Sequence, residues 1–274
     1  MPSQKTAAEL HLCVDRILPI DMKVAAAARS IAINAENDPA PHLRRARLTG
    51  VTLTPLKMAL FTGKKWKKHD QLLRVRFLDG SKTQRAKTQA KAMEWTQYAD
   101  VKFDWSDSKD AEIRISFEAD PGSWSAVGND CLHTEYFKPH EPTMNFGWLR
   151  DHTDDIEWRR VVVHEFGHAL AAIHEHQNPK GGIQWNVPAV MAAFSGPPNN
   201  WSEADIRNNV LDKYSQNQLN ATTFDAKSIM LYPFPKELIL GPPELAQHGT
   251  PTNTDLSPKD KEFIGEMYPL TVKP

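Results

Sequence analysis

Four of the 11 histidines fall between residues 164 and 176, in the stretch HEFGHALAAIHEH. On a helix, residues i and i+4 share a face, so His164 and His168 can present two imidazole nitrogens to one ion. Zn²⁺ takes such ligands, and a site with three protein ligands keeps a fourth position open for water. Glu165 is one residue on and rotated about the helix. It therefore borders the cleft, where a carboxylate can take a proton from a water activated by the metal. His174 lies ten residues beyond His164, which on a continuous helix is about 80° round and about 15 Å along the axis. It reaches the same ion only if the helix stops after Leu170 and the chain turns back. The spacing therefore predicts a helix break around Ala171.

Several elements must position that centre. Asp154 opens the longest helical pattern, residues 154–173, with Trp158, Val162, Phe166, Ala169 and Ile173 at helical spacing and Glu157 completing a capping-box pattern. Upstream, residues 72–78 (LLRVRFL), 101–105 (VKFDW) and 111–117 (AEIRISF) alternate as strands do. Residues 82–98 read as an amphipathic helix. Residues 122–129 (GSWSAVGN) and 143–149 (TMNFGWL) read as shorter, Gly-interrupted strands. An alanine-rich helix is expected over 21–33, and further helices over 202–214 and 257–267.

The chain has 274 residues, 40% hydrophobic and 24% charged, enough apolar material for a sizeable core. No apolar run approaches the roughly 20 residues needed to cross a bilayer. The first twenty residues lack the unbroken apolar stretch of a signal peptide, so the expected route is non-classical export, secretion, or loss of a leader. Two cysteines, Cys13 and Cys131, exclude a disulfide framework. The net charge of −1 hides a split: residues 1–91 carry 18 Lys and Arg against 7 Asp and Glu, and residues 92–274 carry 15 against 27. No nucleic-acid-binding motif accompanies the basic third. It reads as a segment packed on the acidic remainder or as solvated charge, not as a nucleic-acid or membrane interface.

HEFGHALAAIHEH, with Glu175 directly after the third histidine, resembles the metzincin zinc proteases and among them the astacins. SIMLY at 228–232 is similar to their Met-turn, 56 residues past His174. AMEWTQYADVKF at 92–103 resembles, more weakly, the first helix and sheet. The likeness spans roughly residues 66–235. It implies an α+β, metzincin-type zincin: an N-terminal lobe with a twisted mixed five-stranded sheet and two long helices, a smaller loop-rich C-terminal lobe, and the active-site cleft between them. The corresponding division is 1–65 as an N-terminal segment of pro-segment character, 66–176 as the catalytic lobe, and 177–274 as the lobe carrying the Met-turn.

The resemblance also implies roles. His164, His168 and His174 would bind one catalytic Zn²⁺, with Glu165 as general base and acid. Met230 would form a soft floor beneath the imidazoles, and Tyr232 would swing to the oxyanion. An extended protein or peptide substrate would add to an edge strand at Ser123, Trp124, Ser125, Ala126, Val127 and Gly128. Glu175 would help anchor a processed N-terminus. The family usually has glycine where this chain has Ala171; alanine at positive φ costs on the order of 1 kcal/mol.

Cys13 is a candidate inhibitory ligand that could close the open metal position as in matrix metalloproteases, although HLCVDRILP does not match their motif. A buried structural thiol, a Cys13–Cys131 bridge, and an Asp15 or Asp21 block are the competing readings. His176 as a substitute ligand, Glu203 as a distant carboxylate ligand, and a second site at His133, His140 and His152 are weaker alternatives. The expectation is a monomeric zinc endopeptidase. The competing classes are a catalytically silent zinc-fold binding module and a nucleic-acid binder using the basic third.

Overall fold

In the computed structural model, residues 13, 16, 18–19, 21–41, 62–120, 122–178, 180–196, 199–213 and 223–271 are described. The first half is built on a five-stranded sheet ordered β2-β1-β3-β5-β4, formed by β1 (Gln71–Phe77), β2 (Val101–Asp104), β3 (Ile113–Ser116), β4 (Trp124–Ser125) and β5 (Met144–Asn145). β1 pairs in parallel with β2 and β3, and β3 with β5. β4 alone runs antiparallel, and as the last strand in the order it forms one edge. Gly128 ends that edge: its φ is +51°, and a Cβ there would stand 2.1 Å from the Lys64 carbonyl oxygen. The chain passes instead into a 3-10 turn, Gly128–Leu132. The strand expected over 122–129 is thus two residues with one further bridge at Ala126.

Helix α1 (Lys23–Ile33) precedes the sheet, and α2 (Lys82–Ala92) starts on a capping box in which Ser81 and Gln84 satisfy each other's backbone N–H groups. The helix expected over 82–98 stops at Ala92. Trp95 leaves it to donate its Nε1–H to the Val163 carbonyl at 2.8 Å, which fixes a 3-10 turn at Trp95–Gln97.

Helix α3 (Asp155–Ala169) crosses the sheet. Trp158, Val161, Val162, Val163 and Phe166 are fully buried. Asp154 caps it by accepting the Ile156 N–H at 2.8 Å. The expected capping box is incomplete, because the Glu157 carboxylate goes to the Arg160 guanidinium and to Trp148 Nε1–H. A charge-assisted bidentate pair outcompetes a neutral backbone donor.

The second lobe holds a two-stranded sheet, β6 (Gln184–Trp185) with β7 (Ile239–Gly241), and the short helices α4 (Val187–Ser195), α5 (Glu203–Ile206) and α6 (Pro243–His248). α5 runs into one π turn, Arg207–Leu211, so the helix expected over 202–214 is shorter, and Tyr214 lies outside the described residues. Helix α7 (Pro258–Met267) opens on a Ser257–Asp260 capping box and packs back on the first lobe through Ile264, Met267 and Tyr268. Two apolar clusters result, one under the sheet and α3, the other around Phe194, Tyr232 and Phe234. Among the described residues no helix is long and apolar enough to cross a membrane. Described members of the basic segment pair within the chain: Lys64 with Asp130 at 2.7 Å, Lys68 with Glu36 at 2.8 Å, and Arg74 with Glu112 at 2.5 Å. The RRAR run at 44–47 lies outside the described residues.

Candidate metal centre

The centre depends on how α3 ends. Ala171 adopts φ +72°, as the break predicted there requires. The Ala172 N–H bonds the Gly167 carbonyl at 2.9 Å and the Ala171 N–H bonds that of His168 at 2.8 Å, the paired bonds of a Schellman turn. The remaining carbonyls are satisfied from far along the chain. Trp66 Nε1–H donates to Ala169 at 2.8 Å and the Tyr268 hydroxyl to Leu170 at 3.0 Å.

The reversal brings His174 back beside the two helix histidines. The Nε2 atoms lie 3.1 Å apart for His164 and His168, 3.0 Å for His168 and His174, and 3.2 Å for His164 and His174. All three rings are buried. Nitrogens about 2.0–2.1 Å from a tetrahedral zinc stand about 3.3 Å apart, so the cluster is dimensioned for such an ion. The outer nitrogens are also committed: His164 Nδ1 bonds the Ile229 carbonyl and His168 Nδ1 that of Ala172, each at 2.9 Å. Those acceptors hold the proton on Nδ1 and leave the Nε2 lone pairs facing inward. Burial, with the neighbouring imidazoles, holds His164 well below its usual pKa, favouring the neutral ring a metal needs.

Residues 228–232 form the floor. Met230 packs so close to α3 that a Cβ on Gly167 would lie 2.5 Å from its sulfur. Any side chain at 167 would have to displace the Met230 thioether. The Met230 carbonyl accepts the Glu175 N–H at 2.9 Å, so this turn holds the backbone just past the third histidine and the ring of the first. Asp260 supports it, accepting Ser228 Oγ–H at 2.6 Å and the N–H groups of Ile229 and Ser257 at 2.9 Å each.

Glu165 is fully buried beside the cluster. Tyr232, also buried, places its ring centroid 5.1 Å from that of His164 and its hydroxyl against His174 Nε2. The same hydroxyl donates to the Cys13 carbonyl at 2.9 Å. Cys13 is free, buried, and grouped with His164 and Glu165 so that their ligand atoms lie within 4.8 Å of one another. Burial pushes its thiol pKa up, and the Glu165 carboxylate adds to the effect. Arg16 makes a parallel bridge to Ala126 and stacks its guanidinium 4.5 Å from the Trp124 ring centroid, while Leu18 enters the core. Arg16 thus meets the edge at Trp124 and Ala126, which Ser123 and Ser125 continue, with Val127 and Gly128 just beyond the strand.

The other sequence candidates fall elsewhere. Cys131 is buried and free, so it forms no bridge with Cys13. His176 donates its Nε2–H to the Asn209 carbonyl at 2.9 Å and stacks on His174 at 5.1 Å between centroids. Glu203 pairs with Arg207 at 2.8 Å. Among the described residues His133, His140 and His152 form no metal-binding group. Asp21 is exposed and joins none, and Asp15 lies outside the described residues. Glu175 is half-buried, accepts the Asp225 N–H and an Asn178 amide hydrogen, and is pushed up to about 7 by burial. Sequence reasoning missed Trp66, Tyr268 and Asp260. Only Asp260 had a local signal, as the third residue after Ser257 in a capping pattern.

No protein-family description and no curated protein matches the chain. Solved structures do. A structure of myroilysin is 37% identical over 76% of this chain and 97% of its own, with a TM-score of 0.70. A second, a crystal structure of myroilysin, is 37% identical over 76% of this chain and 86% of its own, with a TM-score of 0.58.

Proposed function

The chain belongs to the astacin-like metzincins and is a zinc metalloendopeptidase, and we propose that it cuts peptide bonds with Glu165 as general base while its N-terminal segment holds it latent through Cys13. One observation carries the reading: three buried Nε2 atoms converge within 3.0–3.2 Å, with Glu165 and Cys13 gathered against His164.

His164, His168 and His174 would hold one ion. Zinc, when bound there, supplies a Lewis acid that polarises a carbonyl and lowers the pKa of water towards 7. Glu165 takes a proton from the attacking water on a carboxylate oxygen and returns it to the departing amine. Tyr232 donates its hydroxyl hydrogen to the oxygen of the attacked carbonyl as negative charge develops. The Ile229 and Ala172 carbonyls keep the imidazoles oriented throughout. An extended protein or peptide substrate lies against the edge from Ser123 to Gly128, giving and taking main-chain hydrogen bonds. The enzyme acts as a monomer on protein or peptide, and the described basic residues, paired with carboxylates of the same chain, serve structure and not nucleic-acid or membrane binding.

Latency follows from competition for the same places. The Cys13 sulfur, gathered with His164 and Glu165, would close the open metal position, its carbonyl engages the Tyr232 hydroxyl, and Arg16 would exclude substrate from the edge. Cleavage of an unstructured casein-like protein by zinc-loaded wild type, Cys13→Ala and Glu165→Gln tests both parts. Cutting by Cys13→Ala well above wild type, abolished by adding Glu165→Gln, is the expected result. Equal cutting with and without Glu165 would overturn its assignment as base, and equal cutting by wild type and Cys13→Ala would overturn the block.

A further inference from the structure

Asn37 closes the 3-10 turn Ala35–Asn37 that follows α1, and only 1% of it is exposed. A buried amide is costly unless its atoms are paired. Here every polar atom is. Nδ2 donates towards the Ser30 carbonyl, Ser30 Oγ and the Lys65 carbonyl, each at 2.9 Å. Oδ1 accepts the Lys65 N–H at 3.0 Å, and the backbone carbonyl accepts the Gly63 N–H at 3.0 Å. The backbone N–H donates to the Asn34 carbonyl at 2.9 Å. Two neighbours repeat the pattern. Ser30 Oγ–H, fully buried, donates to the Gly63 carbonyl at 2.7 Å, and Asn34 Nδ2 to the Trp66 carbonyl at 2.6 Å. Gly63 permits this approach, since a Cβ there would stand 2.7 Å from Asn37 Oδ1.

The strip 63–66 that receives these bonds is also tied to the other side. The Lys64 carbonyl accepts the Asn129 N–H at 3.1 Å, and Asn129 Nδ2 reaches the Lys65 carbonyl at 2.8 Å. The Tyr268 hydroxyl accepts the Trp66 N–H at 3.2 Å, and Trp66 Nε1–H closes α3 at Ala169. These bonds fix the strip to the body of the protein and do not involve the N-terminal segment. The segment supplies the opposite wall: Leu18 and Ala26 join the apolar cluster that holds Trp66, and Arg29 donates to the Leu132 carbonyl. None of these partners belongs to the three-histidine cluster.

Building on the latency reading, we infer that residues 63–66 and the Gly128–Leu132 turn form a binding surface whose partner is the chain's own residues 18–38, a separable piece anchored by Asn37. The recognition is of backbone: Ser30, Asn34 and Asn37 meet the N–H and carbonyl groups of residues 63, 65 and 66, as a strand meets a sheet edge. It needs neither the metal nor the peptide link through 42–61. Asn37 is a positioning residue. It acts on the centre through α1, Leu18 and Arg16, which set where Cys13 lies. A cut between 42 and 61 leaves the piece in place and the centre closed. Exposing Cys13 requires a break ahead of α1 or the loss of the Asn37 anchor.

The test reads the two free cysteines of the full-length, zinc-loaded chain. Both are buried, Cys13 in the segment and Cys131 in the body. Alkylation of each requires opening, so mass spectrometry of the two peptides separates local from global opening. Asn37→Ala strands buried partners and should speed alkylation of Cys13 by about 10- to 100-fold, with Cys131 unchanged and casein-like cleavage raised. An unchanged Cys13 rate, or equal acceleration at both cysteines, overturns the proposal. A second arm replaces residues 44–47 with a specific protease site. After cutting, the N-terminal piece should co-elute with the body in gel filtration and Cys13 should stay protected. Release of the piece with full activity overturns the proposal, and this arm decides alone should Asn37→Ala fail to fold. The two readings fail separately. Faster Cys13 alkylation in Asn37→Ala with no gain in cleavage supports the surface and overturns the block by Cys13. Activation by Cys13→Ala with an unchanged Cys13 rate in Asn37→Ala overturns the surface alone.

Discussion

The Tyr232 hydroxyl donates to the carbonyl oxygen of Cys13 at 2.9 Å, across 219 residues of sequence. The same hydroxyl rests against His174 Nε2, so one phenol touches both the proposed metal ligand set and the segment facing it. A group engaged in this way is withheld from a substrate until the segment leaves.

Removing the sulfur should therefore release activity. Cys13→Ala is expected to raise casein-like cleavage at least tenfold over wild type at equal zinc loading. In the cobalt-substituted protein the thiolate-to-metal charge-transfer band should be present in wild type and absent from the variant. A band that survives the substitution would count against sulfur as the fourth ligand.

Tyr232 carries its weight in the transition state under this reading. In the Cys13→Ala background, Tyr232→Phe should lower kcat by about 100-fold, the order seen for loss of one oxyanion donor, with KM little changed. A change confined to KM would assign the ring to substrate binding instead.

Ala171 offers a test of the turn by itself. Its φ of +72° is costly for any residue with a Cβ. Ala171→Gly should stabilise the fold by about 1 kcal/mol, raising Tm by about 2–4 °C, with cleavage unaltered. A lower Tm in the variant would mean that the Ala171 methyl contributes more in packing than its conformation costs.

Asp260 ties the Met-turn to α7 through three accepted hydrogen bonds. Asp260→Ala leaves the Ile229 and Ser257 N–H groups without their acceptor and should cost about 2–4 kcal/mol in denaturant unfolding. Because the Ile229 carbonyl holds His164 Nδ1, zinc affinity should fall about 10-fold. Unchanged affinity in a destabilised variant would confine Asp260 to structure.

Metal removal should be felt by the whole fold. Zinc held only by the native His164–His168–His174 cluster, at 1,000 times its Kd, adds about 4 kcal/mol of stability. Chelation should lower Tm, and titration back should restore it with one ion per chain. Restoration requiring two ions per chain would contradict a single site.

The three-histidine pattern was legible because its geometry is local. His164 and His168 share a face by helix periodicity, and the ten-residue step to His174 demands a reversal that the Schellman turn at Ala171 supplies. The strands 71–77, 101–104 and 113–116 were legible for the same reason, since alternation records which side of a sheet each residue takes. Elements closed by distant partners were not. Gly128 ends the edge strand because the Lys64 carbonyl leaves no room for a Cβ, and Trp95 leaves its helix for the Val163 carbonyl.

By itself the sequence determined the ligand types, their spacing, the need for a turn, and the order of the motifs along the chain. Only the tertiary structure decided what stands around the histidines: Cys13 beside His164 and Glu165, Trp66 and Tyr268 closing α3, and Asp260 under the Met-turn. The physical reason is that periodicity reports the face a residue occupies. Which group meets that face is set by chain reversals and packing between segments tens to hundreds of residues apart, where the burial of charges and backbone groups is satisfied one particular way.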